Sequence, residues 1–108
     1  MIHYTIEDYL KLLEDAQLIS GSRLFGREKT PVTGLTYESG KAAPGTLFVC
    51  KGALFKREYL EDALSRGTAL YVSETDYGVE GAPCILVKNV REAMPVLARM
   101  FYQIPDGA

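Results

Sequence analysis

The sequence predicts an α/β fold: a three-layer α/β/α stack around a mixed, mostly parallel sheet of about four or five strands. Two observations carry this expectation. Leu47-Phe48-Val49-Cys50, Ala69-Leu70-Tyr71-Val72 and Cys84-Ile85-Leu86-Val87 are short, unbroken apolar runs, the pattern of strands covered on both faces. Around them lie segments whose apolar residues recur at helical spacing.

The elements follow in order. Thr5 with Asp8 three residues on forms a capping signature. Ile6, Tyr9, Leu10, Leu13 and Ala16 then share one helical face, so a first helix is expected near 5–18, with Gly21 as its stop. Residues 32–37 are rich in strand formers, and Ser39-Gly40 and Pro44-Gly45 mark turns around Lys41. After the run that ends at Cys50, Gly52 to Lys56 reads as a loop. Arg57 to Arg66 reads as a helix with Tyr59, Leu60, Ala63 and Leu64 on one face, closed by Gly67. Strand, helix and strand in this order predict a parallel βαβ unit. Thr75 to Pro83 is polar and glycine-bearing, hence a loop. Asn89 with Glu92 is a second capping signature, for a helix running to about Tyr102. Pro95 lies inside it. A proline there removes an amide donor and crowds the preceding turn, so a kink or a later helix start is expected. Pro105 and Gly107 mark the end of the ordered chain.

The totals narrow the function. A chain of 108 residues is one domain, and its 47% apolar and 24% charged content is that of a soluble globular core. Net charge is -2 without a basic run, which argues against nucleic-acid binding. No apolar stretch is long enough to span a bilayer, and the acidic start lacks the order of a signal peptide. A cytoplasmic protein is expected. Cys50 and Cys84 sit in apolar runs and read as reduced core thiols; with His3 the sole histidine, neither a zinc site nor a Ser/His/Asp triad is expected. The acidic pairs Glu7-Asp8, Glu14-Asp15 and Glu61-Asp62 fall on helices, where neighbours point about 100° apart, and read as solvated faces. There is no G-x-x-x-x-G-K-[ST] phosphate loop.

In open α/β sheets, ligands bind beyond the carboxyl ends of strands. Two loops qualify: Tyr37-Glu38-Ser39-Gly40, and Gly52-Ala53-Leu54-Phe55-Lys56. Together they supply a hydroxyl, backbone amides and apolar walls, which suit a flat ring with a polar edge. The helix that starts near Arg57 adds a field favourable to phosphate. Plain turns with Lys51, Lys56 and Arg57 on a solvated face are the competing reading. A cysteine-phosphatase cradle is rejected on spacing. It needs an arginine six positions after the cysteine, where this chain has Lys56, with Arg57 one later.

The run from Val32 to Lys56, Val-Thr-Gly-Leu-Thr-Tyr-Glu-Ser-Gly-Lys-Ala-Ala-Pro-Gly-Thr-Leu-Phe-Val-Cys-Lys-Gly-Ala-Leu-Phe-Lys, resembles the opening domain of the Mur ligases. It is most similar to the MurE type, whose pattern is x-D-S-R-x-V-x-P-G-x-L-F-V-A-x-x-G. Tyr59 to Ala69, Val87 to Ala93 and Phe101 to Pro105 resemble later motifs of that domain in the same order. The resemblance implies that residues 1–108 are one substrate-binding domain of a three-domain, ATP-dependent amino-acid ligase of peptidoglycan precursor synthesis. The implied substrate is UDP-N-acetylmuramoyl-dipeptide. ATP and Mg2+ would belong to the central domain, this domain's other partner. No cofactor or catalytic residue is implied here.

Carried over by position, the uridine diphosphate contacts would be Tyr37 as a ring wall, Ser39 as a hydroxyl donor, and Ala53, Leu54 and Phe55 as backbone bonds and apolar cover. This chain departs from the pattern at Glu38 for aspartate, at Gly40 for arginine, and in a second loop one residue shorter. Those changes motivate an alternative, a Mur-like module used for non-catalytic binding or protein contact.

Overall fold

The computed structural model describes residues 3–51 and 55–102. Helix α1 spans Ile6–Asp15. Its N-cap is the expected box: the Asp8 amide donates to Thr5 Oγ1 at 3.3 Å, and the Thr5 amide donates to Asp8 Oδ2 at 2.8 Å. Ile6, Tyr9 and Leu13 face the core. The helix ends earlier than expected, at the C-cap Ala16, followed by Gln17 with φ 60°.

Gly21 is not the helix stop. It lies inside an additional strand, β1, Ile19–Arg23. Strand β2 is Gly34–Thr36, followed by a 3-10 turn over Ser39–Lys41. Then come β3 (Thr46–Val49), α2 (Arg57–Ser65), β4 (Leu70–Ser73), β5 (Cys84–Val87) and α3 (Val90–Phe101).

The five strands form one sheet in the order β1-β5-β4-β3-β2. Edge strand β1 runs antiparallel to β5, and every other neighbouring pair is parallel. The β3-α2-β4 segment is thus the expected parallel crossover unit.

Alternation along the strands explains the unbroken apolar runs. Leu47 and Val49, Leu70 and Val72, and Ile85 and Val87 join the core made with α1 and α3. Phe48, Tyr71 and Cys84 point the other way, into the core made with Leu60 and Ala63 of α2. Helices therefore cover both sheet faces, and every residue of the central strands β3 and β4 is buried on one side or the other. Cys50 and Cys84 are buried free thiols.

Two further expectations change. Tyr59 is not a core residue; it is 42% exposed, while Leu60 and Ala63 are fully buried. Helix α3 begins at Val90, where the Asn89 side chain accepts from the Glu92 amide at 3.2 Å, and continues through Pro95. Pro95 and Arg91, four residues apart, are both exposed, so the missing backbone bond falls on the water side of the helix. Pro105 and Gly107 lie outside the described residues.

Candidate functional site

The carboxyl ends of β2 and β3 and the amino end of α2 meet around an open cavity of roughly 330 Å³. It is lined by Tyr37, Glu38, Ser39, Gly40, Lys51, Phe55 and Tyr59. Each residue is placed by a local device. Tyr37 directly follows β2 and is half exposed. Thr36 Oγ1 accepts from the Glu38 amide at 3.1 Å, which turns the chain out of the strand. The 3-10 turn then presents Ser39 and Gly40, and it packs against α2. Glu38 forms an ion pair with Lys41, Oε2 to Nζ 2.8 Å. The hydrogen bond and charge of Glu38 raise the Lys41 pKa, so that ammonium stays protonated.

The opposite wall is aromatic. The Phe55 ring centroid lies 6.3 Å from Phe48, 6.1 Å from Tyr59 and 5.9 Å from Tyr77. Phe48 is fully buried, so the Phe55 ring is anchored on the core at one edge and open to the cavity at another. The Lys51 ammonium sits over the Tyr37 ring, 4.9 Å from its centroid, a cation–π contact that holds the side chain at the rim.

The structure thus brings Tyr37, Ser39 and Phe55 to one cavity. Ala53 and Leu54 lie outside the described residues. Sequence reasoning missed two lining residues. Lys51 reads as a solvated face, yet it follows β3 by two positions, where a side chain reaches the strand-end crevice. Tyr59 sits in the first turn of α2, past the strand ends, so its ring meets Phe55 instead of the sheet.

The chemistry available is binding. Aromatic walls, the Ser39 hydroxyl and a rim cation suit a planar ring that carries an anionic extension. Among the described residues, no group of His, Cys, Asp or Glu is arranged to hold a metal ion. Burial pushes the Cys50 thiol up to about 12, partly opposed by a hydrogen bond with Ser73. A thiol so protonated does not attack at neutral pH, which agrees with the spacing argument against a phosphatase cradle.

These features define an α/β domain with an open cavity at the carboxyl ends of its strands. Over 73 residues the chain is 46% identical to the UDP-N-acetylmuramoyl-L-alanyl-D-glutamate--L-lysine ligase of Streptococcus agalactiae serotype V, covering 68% of this chain and 15% of that protein. It is 38% identical over 109 residues to the ligase of the same name from Streptococcus mutans serotype c, covering 94% of this chain and 22% of that protein. The fold matches a crystal structure of MurF from Acinetobacter baumannii with a TM-score of 0.69 at 18% identity, over 90% of this chain and 20% of that one. No protein-family model matches. The homologues of this chain are Mur ligases, and the chain is a Mur ligase domain of the amino-terminal type. It spans less than a quarter of the length of these relatives.

Proposed function

We propose that this domain holds the uridine diphosphate part of UDP-N-acetylmuramoyl-dipeptide for an ATP-dependent ligase of peptidoglycan precursor synthesis. The observation that carries this reading is the shared cavity of Tyr37, Ser39 and Phe55. Uracil is a flat ring with a polar rim. Tyr37 and Phe55 would cover its faces, and Ser39 would bond its edge. The MurE type is favoured within the family. Sequence identity to lysine-adding ligases reaches 49%, against 18% to MurF.

On this reading the reaction occurs on parts of the enzyme beyond this domain, in the cytoplasm, with ATP and Mg2+ supplied to the central domain. This chain contributes orientation: it fixes one end of a long substrate so that the peptide end reaches the catalytic centre.

Titration of the isotope-labelled chain with uridine diphosphate tests the proposal. The expected result is saturable shifts of the Tyr37, Ser39, Lys51 and Phe55 amides. Shifts confined to other surfaces, or none at millimolar nucleotide, would remove the cavity as the uridine site.

A further inference from the structure

Two hollows lie on the side of the domain where β2 and α3 meet, and Tyr102 lines both. The larger, roughly 320 Å³, is walled by Leu35 of edge strand β2 and by Met94 and Ala98 of α3. The smaller, roughly 190 Å³, is walled by Tyr4, Tyr9, Val32 and Phe101. The Tyr102 ring stands edge-on to that of Phe101, with centroids 5.0 Å apart, and the residue is 62% exposed. Strand β2 pairs with β3 alone, so its other backbone edge has no strand partner among the described residues. Glu38 and Lys41, the charged side chains that line the larger hollow, are paired with each other at 2.8 Å. The face therefore offers apolar and aromatic surface with its charges matched, the make-up of an interface core and not of an ion site.

We propose that this face docks the body of the ligase, the part that carries the ATP-binding centre, through an apolar surface of that body. Two observations select this occupant over a separate protein. The chain spans 22% of the length of the Streptococcus mutans ligase that it matches over 94% of its own, so most of that relative lies outside this domain. Helix α3 is capped at Tyr102, inside the face, so a body joined after α3 is tethered beside it. Tethering raises the effective concentration, and a modest apolar patch is then enough to hold the body in place. Tyr37 and Glu38 line both the larger hollow and the cavity that contains Ser39 and Phe55. Docking therefore supports the Tyr37 wall from behind and couples the placement of the ATP-binding body to the grip on the substrate. The docking face rests on these hollows and on family membership, not on the uridine reading.

Hydrogen exchange without nucleotide compares the 108-residue chain with the whole ligase that carries it. In the whole ligase the amides of residues 34–37 and 98–102 exchange at least about tenfold more slowly, while those of residues 60–65 in α2, across the sheet, keep the rates of the isolated chain. Tyr102→Arg leaves the isolated chain folded, because the residue is exposed and a cation suits a helix C-terminus. In the whole ligase the same substitution returns residues 34–37 and 98–102 to the rates of the isolated chain. Equal rates in the two forms, protection confined to other segments, or protection that survives Tyr102→Arg would overturn the docking face and leave the uridine reading standing. Protection in the 108-residue chain that grows with its concentration would assign the face to a second copy and overturn the proposal as well.

Discussion

The guanidinium of Arg57 donates from Nη1 to the backbone carbonyl of Tyr77 across 2.9 Å. The bond ties the first residue of α2 to the connection between β4 and β5. Tyr77 in turn sets its ring 5.9 Å from Phe55 and 6.2 Å from Tyr71. The wall of the candidate cavity is thus backed by a loop that Arg57 ties to α2, while the Arg23–Asp76 ion pair at 3.0 Å ties the same loop to β1. Arg57→Ala is expected to weaken uridine diphosphate binding several-fold while costing no more than about 1 kcal/mol of stability, because the bond is exposed. Arg57→Lys keeps the charge and loses the aimed donor, so it should resemble Arg57→Ala. Parent-like binding by both variants would show that Phe55 is held without this tie.

Gly40 lines the same cavity at a position where the family pattern carries arginine. A Cβ built there meets no atom within 4 Å, and the backbone is outside the left-handed region that favours glycine. The site therefore has both the room and the conformation for a long side chain. Gly40→Arg should leave the thermal midpoint almost unchanged and bind uridine diphosphate more tightly, with the gain shrinking as salt rises. Binding isotherms at two ionic strengths check this. A gain that ignores salt would mean that the arginine acts by packing, not by charge.

The sheet was legible where burial is two-sided and illegible where it is not. The runs ending at Cys50, Val72 and Val87 are apolar throughout because α1 and α3 cover one face of the sheet and α2 the other. Strand β1 has the sequence Ile-Ser-Gly-Ser-Arg and one apolar side chain. It is a strand because its backbone ladders onto β5, with a register shift between Ile19 and Gly21, and no periodicity announces that. The lining of the cavity divided the same way. Tyr37, Ser39 and Phe55 follow from strand ends and from the family pattern. Tyr59 does not, because spacing assigns it to the face of Ala63, and only the overhang of the first turn beyond the sheet turns its ring to Phe55.

Gly67 closes α2 with φ +91° and donates its amide to the Leu64 carbonyl at 3.1 Å. A Cβ added there would lie 3.1 Å from the Pro44 Cα, a backbone atom that cannot rotate away. The Gly67 carbonyl also accepts the Gly45 amide at 3.1 Å, so the turn before β3 is locked to this helix end. Gly67→Ala should destabilise the domain by about 1–3 kcal/mol, the cost of a non-glycine residue held in the left-handed region plus the clash. Urea unfolding reads the loss as a lower midpoint with an unchanged slope. A parent-like midpoint would show that Pro44 yields freely.

The buried thiols make the fold sensitive to alkali. Burial pushes the Cys50 pKa up to about 12 and also raises that of Cys84, whereas an unfolded thiol ionises near about 8.5. Above that pH the unfolded chain releases protons that the folded chain keeps, so ionisation favours unfolding. The stabilisation is complete below the unfolded value and is lost progressively as pH climbs toward the folded one. The maximum slope is about 1.4 kcal/mol per pH unit for each thiol. Burial likewise pushes Tyr9 up to about 12, but tyrosine adds its share only above about pH 10. The window between about pH 8.5 and 10 therefore isolates the cysteines. Unfolding free energies measured across it should fall with pH in the parent and fall less steeply in Cys50→Ala, whose packing loss does not depend on pH. Equal slopes in the two proteins would mean that the Cys50 thiol ionises as readily in the folded chain as in the unfolded one, against its burial beside Ser73.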